Sequence, residues 1–291
     1  MAMTEAHANG YYVAPPSPWP PLAAAGAFLL LGGFALWLHG YGPLVSAIGG
    51  AVVVFVAFRW FGAVIGESRA GVYHAASNRS FRYGMMWFIF SEVMFFGVFF
   101  GALFYLHYLA VPWLGGEGAK GAAHLLWPHF VNQWPLLVPP NPSEFTIPKE
   151  AMGPLGIPTF NTVVLMSSGV TVILAHRALL AERRRALAGW LAVTIALGLA
   201  FVALQAHEYR HAYLDLNLTL NSGVYGSTFF LLTGFHGLHV ILGATVLTVI
   251  LARVLQGDFS PADHFGFKAA SWYWHFVDAV WVGLYLFVYW W

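Results

Sequence analysis

Seven long apolar runs, almost free of charge, constrain this chain more than any other feature. They lie at 22–38, 44–65, 84–110, 159–179, 187–206, 223–255 and 270–290. A helix of about 17–25 mostly apolar residues crosses the roughly 30 Å hydrocarbon core. It does so while satisfying its own backbone hydrogen bonds. The runs therefore predict an all-α integral membrane protein of seven transmembrane helices. The short turn His39-Gly40-Tyr41-Gly42-Pro43 makes a hairpin of the first two, and the sixth run is long enough to tilt or protrude. Composition agrees. Only 9% of the 291 residues are charged, against about a quarter in a soluble domain.

Several function classes drop out. The chain has no cysteine, so it holds no disulfide framework, thiolate metal site or cysteine nucleophile. A net charge of +1 gives no electrostatic reason to bind nucleic acid. The first 20 residues lack a basic segment followed by an apolar one, so the first membrane helix is expected to act as the insertion signal. No phosphate loop, dinucleotide fingerprint or nucleophile–base arrangement occurs, and no internal repeat supports an inverted-repeat transporter.

Orientation follows from Lys and Arg. Alternate connections place Arg59, Arg69, Arg79, Arg82, Arg177, Arg183, Arg184, Arg185, Arg253 and Lys268 on one side. Lys120, Lys149 and Arg210 fall on the other, beside Glu117, Glu144, Glu150, Glu208 and Asp215. The amino terminus is thus expected in the cytoplasm and the carboxyl terminus outside. The connection 111–158, rich in Pro and Gly, reads as an ordered cap over the outer face, with a mobile loop as the alternative.

Ionisable groups inside spans are costly and mark functional sites. Glu92 has Phe88, Ile89, Phe95 and Phe96 as its helical neighbours. Asp278 sits among Trp274, His275, Val277 and Trp281. At 1.5 Å per residue both carboxylates lie about 12 Å in from the cytoplasmic side. The sixth helix brings His236 and His239 to a similar depth, so some of these four are expected to meet in a polar cluster. The functional reading is a proton-holding or proton-relay group; the plainer one is a carboxyl that hydrogen-bonds across helices. A metal reading of His236 with His239, or His207 with His211, lacks the three or four ligands zinc prefers. His207 and His211, with Glu208, Arg210 and Asp215, read as a solvated polar loop. Gly84, Gly97, Gly101 and Gly223-Val224-Tyr225-Gly226 read as close-packing positions, as do the glycines around His236.

Several segments, in order along nearly the whole chain, resemble subunit III of cytochrome c oxidase. They are Pro16-Ser17-Pro18-Trp19-Pro20, Glu67-Ser68, Phe81-Arg82-Tyr83-Gly84, Ser91-Glu92-Val93 and Gly223-Val224-Tyr225-Gly226-Ser227-Thr228-Phe229-Phe230. Then follow Gly234-Phe235-His236-Gly237-Leu238-His239-Val240, His264-Phe265-Gly266-Phe267, Trp272-Tyr273-Trp274-His275-Phe276-Val277-Asp278 and the closing Tyr289-Trp290-Trp291.

The resemblance implies a two-helix hairpin (1–83) and a five-helix bundle (84–291) separated by a lipid-filled V-shaped cleft. Matching positions imply that Trp60, Phe61, Glu67, His74, Arg253 and His264 contact phospholipid head groups, and that Glu92 is the family's buried, carbodiimide-reactive carboxylate. It further implies a subunit with no haem, copper or catalytic centre of its own, in a proton-pumping complex that passes electrons from cytochrome c to oxygen. The partners implied are subunits I and II, which carry the haem and copper, with cytochrome c reached only through the complex. The chain would support proton uptake into subunit I and protect it during turnover. Where the family often has Trp-Trp-Arg-Asp, this chain has Arg59-Trp60-Phe61-Gly62-Ala63, which puts the charge pattern of that lipid contact in question. The long connection suggests a bacterial cytoplasmic membrane. A quinol oxidase subunit III, typically of five helices, and a purely structural assembly subunit are the alternatives.

Overall fold

The computed structural model describes residue 12 and residues 15–73, 75–118 and 121–290. Of the residues singled out above, His74, Lys120 and Trp291 lie outside these. Among the described residues the long elements are seven helices, with no strand. They are α1 Trp19–Leu38, α2 Leu44–Arg69, α3 Ala75–Tyr105, α4 Ile157–Leu180, α5 Arg184–Leu214, α6 Gly223–Gln256 and α7 Phe265–Leu284. Each apolar run has its helix, but several helices outlast their runs. α2 continues to Arg69, α3 starts at Ala75, and α5 extends eight residues past its run. No proline falls in these extensions, and the one glycine, Gly66 in α2, does not stop the hydrogen-bond ladder. α6 stops at Gly257, whose φ of +84° is left-handed and closes the helix. The first six helices are long and apolar enough to cross a membrane. α7, which mixes Lys268, His275 and Asp278 with aromatic residues, is not among those six.

The chain divides into two compact units, Met1–Gly84 and Met85–Trp291. In the first, α1 and α2 form an antiparallel pair in which Gly33 faces the backbone at Ser46 and Gly49 faces that at Leu30. Ser46 Oγ donates to Leu30 O across the same seam at 3.0 Å. Small residues permit this approach, and dispersion between the backbones supplies the attraction. Apolar side chains such as Phe28, Leu31 and Phe55 point outward. Such a surface suits lipid or another apolar partner.

In the second unit α4, α5, α6 and α7 pack in sequence, and α7 returns to α4. Trp274 of α7 is the central side chain of this group and is fully buried. Its indole lies against Gly198 of α5 and Gly243 of α6, and its N–H donates to Ser168 Oγ of α4 at 2.9 Å. About two turns on and in phase, Trp281 N–H donates to Thr162 Oγ1 at 2.9 Å. α7 is thereby stapled to α4 by two indoles, and the Trp274 ring fits because glycines lie against it on α5 and α6. α3 meets its neighbours through aromatic side chains: Phe95 and Phe99 pack on Phe235 at 5.1 and 5.3 Å between centroids. Beyond Tyr105 it runs through a π-helical turn, Leu106–Ala110, into Val111–Leu114.

The 111–158 connection is tied down. Thr146 N donates to Asn221 O at 3.0 Å, and Lys149 N to Leu216 O at 2.8 Å. Met152 N donates to Tyr225 Oη at 3.0 Å, while His107 and Trp134 stack at 4.9 Å. These contacts lay the connection over the end of the unit where α5 turns into α6.

The small residues that bring helices together are only partly those expected. Gly84, Gly97, Gly101 and Gly237 have nothing within 4 Å of an added Cβ. The close approaches between helices are at Gly33 and Gly49 in the first unit and at Gly169, Gly198 and Gly243 in the second, while Gly226 packs on the turn at Thr219–Ser222 that precedes its own helix.

Candidate functional site

Helix α3 presents Glu92 toward α6, where it meets His239. Glu92 Oε2 and His239 Nε2 are 2.9 Å apart. The side chains keep only 20% and 10% of their exposure, respectively. The other imidazole nitrogen, Nδ1, faces Phe235 O at 2.6 Å. A carbonyl only accepts, so Nδ1 carries a hydrogen. Nε2 and Oε2 then need one proton between them, held as glutamic acid donating to imidazole or as imidazolium donating to carboxylate. The surroundings of the pair are aromatic. Phe95, Phe96, Tyr273 and Phe276 all lie within 6.5 Å of the His239 ring, centroid to centroid.

The other two members of the expected cluster go elsewhere. His236 is wholly buried between Phe201 and Trp281, with Nε2 3.1 Å from Val277 O. Asp278 Oδ2 accepts from His275 Nδ1 at 3.2 Å and lies beside Gly169, where a Cβ would collide with it. The four residues share a depth but not a face. His236 and His239 are three positions apart and so close together around α6, yet His236 meets α7 at Val277 O while His239 meets Glu92 of α3.

Among the residues implied as lipid contacts, Trp60 and Phe61 project outward from α2 in the first unit, 38% and 69% exposed. Glu67 accepts a hydrogen bond from the Tyr73 hydroxyl. Burial, and then that bond and the Glu67 charge, push the Tyr73 phenol well above its ordinary value. In the second unit Arg253 donates to Asp258 Oδ2 at 2.9 Å and lies 4.6 Å over the Phe259 ring. His264, at the entry of α7, donates from Nδ1 to Ser260 O at 3.1 Å. Burial, and then Lys268 nearby, lower its pKa from 6.5. Arg253 and His264 thus flank one short loop, 257–264. Among the described residues no three His, Asp or Glu side chains gather at a spacing that would hold a metal ion.

One buried acid escaped the sequence reading. Glu208 is not in a solvated loop; it is on α5, 1% exposed. Its Oε1 accepts from Tyr289 Oη at 2.6 Å. Gln205 and Asn161 are buried as well, and Asn161 Nδ2 donates to Phe201 O at 3.3 Å, one turn before Gln205. The signal was present. The buried positions of α5 are 187, 191, 194, 198, 201, 205, 208 and 212, alternating steps of four and three that carry the inward face straight through Glu208. The end of the apolar run at 206 concealed it. His207 and His211 do face outward, and His211 Nδ1 pairs with Asp215 Oδ2 at 2.7 Å.

A family model described as cytochrome c oxidase subunit III matches residues 9–130 and 142–291 of the chain. The omitted stretch, 131–141, falls inside the capping connection. Cytochrome c oxidase subunit 3 of Cyprinus carpio is 41% identical over 285 residues, covering 98% of both proteins. Those of Equus asinus and Pan troglodytes are each 40% identical over 284 residues, covering 97% of both.

Proposed function

The chain belongs to the cytochrome c oxidase subunit III family, and from that membership we propose that it supports proton uptake and turnover stability in an oxidase without holding a redox centre itself. Membership makes it a multi-pass membrane subunit of an oxidoreductase complex. The finer role rests on one observation, the Glu92–His239 hydrogen bond in its aromatic surroundings. A carboxyl and an imidazole joined by one hydrogen bond in apolar surroundings are suited to pass or store a proton near a pathway in subunit I. Haem and copper chemistry stays with the partner subunits, and subunits I and II are the chain's protein partners.

Phospholipids are its remaining ligands, with Trp60, Phe61, Glu67, His74, Arg253 and His264 as contacts. Arginine and histidine at the edge of a membrane suit a phosphate, and outward aromatic rings suit acyl chains. The bias of Lys and Arg places the amino terminus in the cytoplasm. The relatives named above are eukaryotic, so a bacterial cytoplasmic membrane rests on the long capping connection alone.

The test is oxygen consumption by the purified oxidase, with and without this chain, over many turnovers between pH 6 and 9. Slowing at high pH and early loss of activity in the depleted enzyme, at unchanged haem content, are the expected results. Replacing Glu92 by Gln, which keeps the shape but cannot hand a proton to His239, should reproduce the slowing in part. Unchanged rate and lifetime would leave an assembly scaffold.

A further inference from the structure

At the end of the second unit that carries Arg177, Arg183, Arg184 and Arg185, two histidines face one another. His176 lies one turn before the end of α4, and His264 stands at the entry of α7. Their Nε2 atoms are 3.4 Å apart. That is long for a hydrogen bond to nitrogen, whose donor–acceptor distances cluster near 2.7–3.2 Å. It matches two nitrogens on one tetrahedral ion: bonds of about 2.0–2.1 Å at a tetrahedral angle put them about 3.3–3.4 Å apart.

The second coordination layer is also in place. His264 donates its Nδ1 hydrogen to Ser260 O at 3.1 Å, leaving the Nε2 lone pair directed at His176. Metal-bound histidines are usually held this way, by a carbonyl on the far nitrogen. The His176 ring is held by stacking on Phe267, with centroids 5.5 Å apart and planes 26° from parallel. Two rings from two helices are thus pre-oriented with converging nitrogens. Lys268 acts against a cation here and Asp263 acts for one, since both charges reach His264.

We propose that His176 and His264 bind a divalent transition cation of the zinc class, bridging the end of α4 to the start of α7. Two protein ligands leave the remaining positions to water, so the ion is exchangeable and regulatory in kind. A structural site would be closed by four protein ligands. Imidazole ligands select zinc, copper or nickel over magnesium or calcium. Such an ion would clamp the 257–264 loop to α4. The proposal is independent of any role of Glu92, which lies on other helices.

The probe is Zn²⁺ itself. The intact oxidase is washed with chelator and equilibrated with zinc at pH 7.5. Its zinc content is then compared with those of His176→Gln, His264→Gln, the double variant and His176→Cys. Each single Gln variant should lose one zinc per complex, and the double variant no more than one. His176→Cys, which restores a ligand, should keep the ion. X-ray absorption of the bound zinc should show nitrogen scatterers from imidazole in the parent and a sulfur contribution in the Cys variant. Unchanged zinc in either single variant would overturn the site. So would a double variant that loses more than the singles, since the histidines would then act separately.

Discussion

Replacing Gly198 by alanine tests how tightly Trp274 is held. A methyl group there would stand 2.5 Å from Cη2 and 2.9 Å from Cζ2 of the indole. Carbon atoms rest about 3.5–4.0 Å apart, so the ring would have to withdraw by about 1 Å, or α5 and α7 part by as much. The ring has little room. Its N–H is bonded to Ser168 Oγ at 2.9 Å, and a Cβ on Gly243 would lie only 2.8 Å from Cε3. Overpacking of a filled site costs about 1–3 kcal/mol. Alanine also gains about 1 kcal/mol over glycine in a helix, and that gain has to be removed from the comparison. Gly189, on the same helix with nothing within 4 Å of its Cβ position, provides the reference. Gly189→Ala has the gain without the clash. The expectation is that Gly198→Ala is less stable than Gly189→Ala by about 1–3 kcal/mol. It would be read as an earlier thermal loss of this chain from detergent-purified oxidase. Equal midpoints would refute the reasoning, because α5 and α7 would then be loose enough to absorb a methyl group.

Tyr289→Phe removes the hydroxyl that donates to Glu208 at 2.6 Å in a buried setting. It should cost about 1–3 kcal/mol in denaturant stability, and no loss would mean that water already serves Glu208. For His264 the folded pKa lies below its ordinary 6.5, through burial and then Lys268. The unfolded segment therefore takes up the proton first as pH falls. Stability from this group is full above about 6.5 and declines as pH drops through the window beneath it. Amide exchange across 257–264, corrected for its intrinsic pH dependence, should accelerate between pH 7.5 and 5.5 and lose that response in His264→Gln. A loop equally protected at both values would contradict the assignment.

Seven helices were legible in the sequence because a bilayer leaves a chain few choices: a long uncharged run must satisfy its backbone internally, and a helix does so locally. The short turn after α1 and the candidacy of Glu92 followed from the same rule. Helix ends did not, since the ladder in α2, α3 and α5 runs on into polar sequence that lipid does not select. Glu208 was lost for that reason, although its phase along α5 marked it as inward.

Which buried groups meet was decided only by tertiary structure. Depth could be counted along each helix at 1.5 Å per residue, but rotation about the axis depends on neighbouring helices. That rotation gives Glu92 to His239, Asp278 to His275 and His236 to the Val277 carbonyl. The useful glycines show the same division. The sequence pointed to small residues in general, yet Gly97 and Gly101 face open space while Gly198 and Gly243 receive a tryptophan. A glycine is needed only where another helix arrives, and no run of residues states where that will be.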